Sequence, residues 1–398
     1  MEIINMEDFR MKLNVGVVFG GKSVEHEISI ISAVEAMGYM NENKYNIIPI
    51  YIDKNNDWYT GEHLKDIMSY RDIALVKRYA KKVSLVKNGK CFYLQTMGFL
   101  KINITLIDVI LPIGHGTFLE DGSLQGYLEM IGIPYLGSGV LASSIGNDKV
   151  IFKELLKSNN IPVPNYVWFY DHEFNENKNL ILDKIKTLKY PVIVKPATLG
   201  SSIGITNVLK EEDLIKAIKE AIKFDKKIIV EEKIKNLTDV NVSILGNSKH
   251  CISSSIEEIN TSEEFFSFKE KYVSGYNKLI KKEKKSKPVL SKEMIEDIKN
   301  YAKDVFRLID ASGVSRIDFL IDSKNNLIYV SEINTMPGSL SSYLWLEDNK
   351  SQTELIDDLF KINMEEYKEK KEKILSFSGN LLEDYDILDG KKFKTKNN

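Results

Sequence analysis

Two apolar segments end in polar side chains of a kind that holds a hard cation. "RIDFLID" (Arg316 to Asp322) carries Asp318, and "LIYVSEIN" (Leu327 to Asn334) carries Glu332 and Asn334. In adjacent strands, alternate side chains share one face, so these three oxygen donors can converge. Oxygen donors without His or Cys suit Mg²⁺, which takes few carboxylates and fills its shell with water and phosphate. A solvated strand end is the plainer reading, but carboxylates buried amid "FLI" and "IYV" are costly without a cation. "KPATLGSSIG" (Lys195 to Gly204) joins a strand-ending lysine to a glycine- and serine-rich loop. Exposed amides, hydroxyls and a point charge suit a phosphate chain, although an ordinary hairpin turn has the same composition. In "GHGTFLEDGSLQGYLEMIGIPYLGSG" (Gly114 to Gly139), His115 stands at a strand end as a substrate contact, and the helix after it can aim its N-terminus at an anion. A lone histidine is otherwise more often structural.

One motif is rejected on physical grounds. Gly16 to Ser23 matches the phosphate-loop pattern G-x-x-x-x-G-K-[ST], and "ITLID" could pass for its acidic strand. Such a loop needs free backbone amides and flexible residues between its glycines. Here the interval is Val17, Val18 and Phe19, which make a strand. The alternative is a strand-to-helix turn that leaves Glu25 at the start of a helix.

The elements that position these residues follow from periodicity. "LNVGVVFGG" reads as a buried strand, "SVEHEISIISAVEAMGYM" as a helix, and "YNIIPIYID" and "LIDVILPIGHG" as further strands. This alternation predicts an α/β unit with a mainly parallel sheet whose sites lie at strand carboxyl ends. Residues 54–100 read as an irregular insertion with short strands of its own. "SSIGNDKVIFKELLKSNN" reads as one helix stopped by Pro162 and Pro164. Beyond it, two strands with a crossing helix form a compact second unit. Strands "VNVSILG", "RIDFLID" and "NLIYVSEIN" with a helix over 292–309 form an α+β third. The expected division is 10–141, 142–235 and 236–375, with a polar tail over 376–398.

Composition narrows the class. Among 398 residues, 43% are apolar, enough for real cores, and Lys+Arg (55) nearly balances Asp+Glu (57), which gives no footprint for nucleic acid. The lysine-rich stretch Lys278 to Pro288 lacks interleaved aromatics and reads as a solvated loop. Two distant cysteines, Cys91 and Cys251, exclude a disulfide framework or zinc ribbon and suit a reducing cytosol. The N-terminus does not read as a signal peptide, and no apolar run approaches the roughly 18 residues of a membrane span. A soluble cytoplasmic protein is expected.

With these pieces in order, the chain resembles the ATP-grasp ligases, and specifically the D-alanine–D-alanine ligase family. The resemblance spans roughly residues 13 to 338 and is carried by "GGKSVEHEIS", "HGTFLEDGSLQG", "IPYLGSG", "NDK", "VIVKPATLGSSIG", "VEEKI", "KEKY", "SRIDF" and "EINTMPG" in family order. It implies an ATP-grasp fold preceded by a Rossmann-like domain, ATP held between the central and C-terminal units, and amino-acid sites facing the N-terminal one. By resemblance, Lys149 and Lys195 contact the ATP phosphates, and Gly200, Ser201 and Ser202 close over them. Glu231, Glu232 and Ile234 lie along the adenine, and Asp239 holds the ribose. Asp318, Glu332 and Asn334 match a two-magnesium site, at which manganese can substitute. Glu25 binds the first substrate's ammonium and forms a hydrogen-bonded trio with Ser201 and Tyr272. Arg316 stabilises negative charge on the intermediate, and Lys271 marks D-alanine as acceptor amine. The implied reaction joins two D-alanines through an acylphosphate for peptidoglycan synthesis. The family often forms dimers, so a homodimer is also implied.

One segment departs from the family. After Pro337-Gly338 the family continues toward a serine-leucine pair and a proline that hold the second substrate's carboxylate. Here the run is "SLSSYLWLEDN": Tyr343 takes the serine position, Leu344 the leucine and Leu346 the proline, and Trp345 adds a second large ring. Two other readings therefore stand beside the leading one. One is a ligase for a different amino acid or amine, and the other is an ATP-binding regulator without turnover.

Overall fold

The structure is a computed structural model that describes residues 12–259 and 290–376. Lys271, Tyr272, the lysine-rich stretch and the tail fall outside the described residues. A continuous apolar sequence makes β1 (Leu13–Gly20), as suits a central strand buried on both faces. Its interval Val17 to Phe19 is ladder-paired with Pro49 to Tyr51 of β2 (Tyr45–Ile52), which removes the phosphate-loop reading. Helix α1 (His26–Tyr39) lies between them. At Gly20, with φ +94°, an added Cβ would meet the Ile52 carbonyl at 2.3 Å, so only glycine makes this turn.

Residues 54–100, expected as an irregular insertion with short strands of its own, carry short strands that extend the sheet. They give β3 (Trp58–Thr60), α2 (Ile73–Tyr79), β4 (Lys81–Asn88) and β5 (Cys91–Thr96), followed by β6 (Asn103–Ile107) and β7 (Val109–Pro112). The seven strands run in the order β6-β5-β4-β3-β2-β1-β7, and only β2, β1 and β7 are parallel. The physical reason is alternation: Val83, Leu85, Phe92 and Leu94 join Val18, Ile50 and Ile110 in one core beneath α3 (Ser123–Ile131). Because β1 and β7 are parallel neighbours, their carboxyl ends place Glu25 and His115 on the same edge.

The single helix expected over 143–160 is two, α4 (Val140–Asn147) and α5 (Lys149–Ser158). Asp148 divides them as the cap of α5, accepting from the Val150 and Ile151 amides. Next come β8 (Tyr166–Tyr170), α6 (Asp171–Glu176), α7 (Lys178–Ile185), β9 (Val192–Pro196), β10 (Thr206–Val208), α8 (Glu211–Ala221) and β11 (Lys227–Glu232). Their four strands form an antiparallel sheet, β10-β9-β11-β8. One face packs on α7 and α8 through Val192, Val194, Ile228 and Val230, and the other carries Lys195 and Glu231.

A third sheet comprises β12 (Leu237–Gly246), β13 (Cys251–Ile259), β14 (Gly313–Asp322) and β15 (Leu327–Asn334), ordered β13-β12-β14-β15 and antiparallel throughout. Helix α9 (Lys292–Leu308) covers the face bearing Val240, Val242, Ile317 and Phe319. Short α10 (Ser342–Trp345) and long α11 (Gln352–Lys371) follow. Leu355, Ile356, Leu359 and Phe360 of α11 share a core with Val15, Val17 and Phe19 of β1. No helix among the described residues is long and apolar enough to cross a membrane.

Candidate active site

The metal-type residues lie on the open face of the third sheet. Asp318 is directly opposite Glu332, and Arg316 is opposite Asn334. This pairing depends on a β-bulge: Asp318 pairs with Glu332 but Phe319 pairs with Val330, so Ser331 is an extra residue. Ile328 and Val330 face the core before the bulge, and Ile333 faces it after. The extra residue thus switches the parity of β15 and turns Glu332 and Asn334 toward Asp318.

Charge in this cluster is largely compensated. Arg316 donates to Asp318 through Nε at 2.7 Å and a terminal nitrogen at 2.8 Å, a bidentate pair. Burial works against the guanidinium's charge, but Asp318 raises its pKa well above the ordinary value. Burial likewise pushes the Glu332 carboxyl up, and Lys149, Lys195 and Arg316 outweigh it and hold it below the ordinary range. Asn334 Nδ2 is buried without a hydrogen-bond partner, an amide directed at something else. Two carboxylates and a carboxamide, with cations in attendance, are a donor set that fits a magnesium ion shared with phosphate.

Facing them is a second constellation, on α5 and the β8–β11 sheet. Lys149 Nζ donates to the Leu199 carbonyl at 2.7 Å and lies 3.6 Å from Glu332 Oε2. Lys195 Nζ bonds Glu231 Oε2 at 2.5 Å. Burial would raise the Glu231 carboxyl, yet Lys153 and Lys195 bring it down to about 2. Glu232, the next residue, points away: its carboxylate accepts from Asn165 at 3.1 Å and the Lys189 amide at 2.8 Å. A strand cannot aim both neighbours at one ligand face. Ile234 follows the end of β11, and Asp239 lies on β12, contributing to the field on Lys195.

The loop after β9 reaches across to the N-terminal sheet. Ser201 and Ser202 have left-handed φ of 51° and 60°, and the Ser201 hydroxyl donates to Glu25 Oε1. An added Cβ at Gly200 would stand 3.3 Å from the same oxygen. Glu25 is buried, and its Oε2 has no hydrogen-bond partner. Burial raises its pKa, Glu120 adds to the rise, and Ser201 opposes it. His115 is buried as well, between Glu120 Oε1 at 3.3 Å and Ser32 Oγ at 3.1 Å. Burial disfavours its charge, but Glu120 and then Glu25 raise its pKa above the ordinary histidine value.

The departing segment closes this edge. Ser339, Leu340 and Ser341 have φ of 49°, 53° and 48°, three successive left-handed non-glycine residues. Each costs on the order of 1 kcal/mol, so the packing around them must enforce the turn. Leu340 is in the core, and Ser339 donates to Glu35 through its hydroxyl and to Ser32 Oγ through its amide at 3.4 Å. Gly338 packs loosely here, 3.9 Å from Ser32 Oγ for an added Cβ. Burial raises the Tyr343 hydroxyl's pKa while the Arg316 charge opposes it, which puts the ring in the field of the Arg316–Asp318 pair. Leu344 is buried. Trp345 is not a second ring at the site: it is core, and its Nε1 donates to Ser243 Oγ at 3.0 Å.

Similarity to known proteins agrees with this geometry. A family model described as D-ala D-ala ligase C-terminus matches residues 155–361, and one described as D-ala D-ala ligase N-terminus matches 14–138. A D-alanine--D-alanine ligase from Thermosipho melanesiensis is 41% identical over 377 residues, covering 93% of this chain and 98% of its own length. The chain belongs to the D-alanine–D-alanine ligase family. The D-alanine-D-alanine ligase of Coxiella burnetii superposes with a TM-score of 0.76 at 26% identity, over 95% of this chain and 99% of that one. The VanG D-Ala:D-Ser ligase of Enterococcus faecalis gives 0.73 at 29% identity, over 88% and 99%. The Bacillus anthracis D-alanine--D-alanine ligase complexed with ATP gives 0.64 at 25%, over 90% and 99%. The fold is the ATP-grasp fold, and the protein is an ATP-dependent ligase.

Of the residues singled out from sequence, Glu25 and Ser201 meet directly. Lys149, Lys195 and Glu231 converge with Asp318 and Glu332, while Glu232 turns aside. Sequence reasoning missed Glu120, Ser32 and Lys153. Lys149 and Lys153 stand at i and i+4 on α5, a spacing that puts both ammoniums on one helix face and was readable in "NDKVIFK".

Proposed function

We propose that this chain joins two D-alanines at the expense of ATP, with magnesium, and supplies the dipeptide for peptidoglycan precursors. The carrying observation is the meeting of Glu25 with the Ser201 loop in a cleft lined by Lys149, Lys195, Asp318 and Glu332. Glu25 Oε2, buried and unpartnered, receives the donor's ammonium, and His115 supports the same edge. Lys149, Lys195 and the amides of Gly200 to Ser202 hold the ATP phosphates. Glu231, Glu232 and Ile234 run along the adenine, with Glu232 limited to its backbone, and Asp239 meets the ribose. Asp318, Glu332 and Asn334 would hold magnesium, which neutralises phosphate charge.

The donor's carboxylate oxygen then attacks the γ-phosphorus, the bond to the β-γ bridging oxygen breaks, and ADP leaves. The acceptor's amine attacks the acyl carbon, and the resulting oxyanion faces Arg316. The tetrahedral species collapses, phosphate leaves with the bonding pair, and the nitrogen loses its proton. By the family resemblance alone, Lys271 is assigned to the acceptor and Tyr272 to the trio with Glu25 and Ser201; both lie outside the described residues. Asp318→Asn and Glu332→Gln are each expected to cut magnesium-dependent ADP release by about 10²-fold or more, without change in the circular dichroism spectrum. Full activity in either would sink the metal assignment.

A second reading, a different acceptor, is favoured by Tyr343 at the serine position and by the likeness to a D-Ala:D-Ser ligase. Offering D-alanine as donor with D-serine as competing acceptor, and weighing the products by mass spectrometry, separates the two.

A further inference from the structure

Lys153 has no exposed surface, and the mechanism above does not use it. Its Nζ donates to the Ser331 carbonyl at 2.9 Å and lies 3.2 Å from Glu231 Oε1. Both partners matter. Ser331 is the bulge residue whose insertion turns Glu332 and Asn334 toward Asp318, so the Lys153 bond occupies the carbonyl of the one residue without a ladder partner. Glu231 is the carboxylate that also binds Lys195. One ammonium thus braces the nucleotide face of the β8–β11 sheet against the strand that carries the metal-type residues. It also decides how much of Lys195's charge is free. Two ammoniums share one carboxylate, so Lys195 is not closed into a one-to-one pair with Glu231 and is balanced in part by Glu332. Without Lys153, Glu231 and Lys195 would form a closed neutral pair with little pull on phosphate.

We infer that Lys153 is a positioning residue for ATP, keeping Lys195 available to the phosphate chain and holding the Ser331 bulge in place. The inference rests on the ATP-dependent reading of the site, not on which amino acids are joined. Its test is therefore ATP affinity, measured by isothermal titration calorimetry on the full chain with magnesium and no amino acid. Lys153→Met removes charge and hydrogen bond together. Lys153→Gln keeps a donor for the Ser331 carbonyl and carries the test should the methionine variant fail to fold, and Lys153→Arg keeps the charge.

Both neutral variants are expected to bind ATP at least tenfold more weakly, and Lys153→Arg to stay within about threefold of the wild-type chain. In the more active neutral variant, KM for D-alanine is expected to stay unchanged. A folded Lys153→Gln or Lys153→Met that binds ATP within twofold of wild type would overturn the inference, even if its melting temperature fell, because that result marks a purely structural strut. Wild-type protein that fails to bind ATP would instead remove the underlying reading and this inference with it.

Discussion

At the scale of single residues, the site is built from buried charges that are each compensated. Asp318 is held by Arg316, Glu231 by two lysines, and His115 by Glu120. The His115 pair makes a pH prediction whose sign can be worked out. Its folded pKa lies above the ordinary value of 6.5, so the native state binds the proton more tightly than the unfolded chain. The stabilisation is full below about pH 6.5 and is lost as pH rises through the raised folded value. Urea unfolding of wild type and Glu120→Gln across pH 5 to 9 should show a gap that is widest on the acid side; a gap that widens with rising pH would contradict the pairing. Residue types were the most legible part of the sequence. Two carboxylates and an asparagine on neighbouring strands, and a lysine before a glycine-serine loop, announce cation and phosphate chemistry. Which neighbour of a pair faces inward was not legible for Glu231 and Glu232, because both are acidic and only the sheet's packing distinguishes them.

At the scale of elements, small irregularities do the aiming. The bulge at Ser331 is visible in retrospect as a break in alternation, Ile328 and Val330 giving way to Ile333. Deleting Ser331 should remove the bulge yet leave Glu332 and Asn334 on the face of Asp318, because Val330, Glu332 and Ile333 then alternate strictly. A loss of about 1–3 kcal/mol in urea unfolding is expected, since the Lys153 ammonium loses its carbonyl acceptor. A larger loss with magnesium-dependent turnover abolished would mean that something other than alternation sets the strand's register. Asp148 likewise splits an apparently continuous helical pattern so that Lys149 opens α5, a cap signal present in "NDK". The antiparallel extension of the first sheet was harder to read. Its strands run from three to eight residues and are separated by polar turns, and alternation over so few residues competes with a loop. Trp345 was misplaced for a related reason. Sequence puts it two residues from Tyr343, and two residues along a helical turn, about 200°, rotate it into the core.

At the scale of the whole molecule, the last helix returns to the first sheet. Phe360 stacks on Tyr45 with ring centroids 4.2 Å apart, and Asp357 takes bonds from Lys44 and the Tyr45 hydroxyl. This contact ties α11 to the amino end of β2, at the opposite end of the sheet from Glu25, so it steadies the N-terminal sheet from behind the cleft. Phe360→Ala is expected to lower stability by about 3–5 kcal/mol and to reduce activity with it, read from urea unfolding followed by both fluorescence and turnover.

The central claim is that the cleft spends one ATP to join two D-alanines. Purified protein given D-alanine as the sole amino acid, with ATP and magnesium, should release ADP and phosphate one-for-one with a D-alanyl-D-alanine product seen by mass spectrometry. ADP release without that dipeptide, or dipeptide only when another amino acid or amine is supplied, would contradict it.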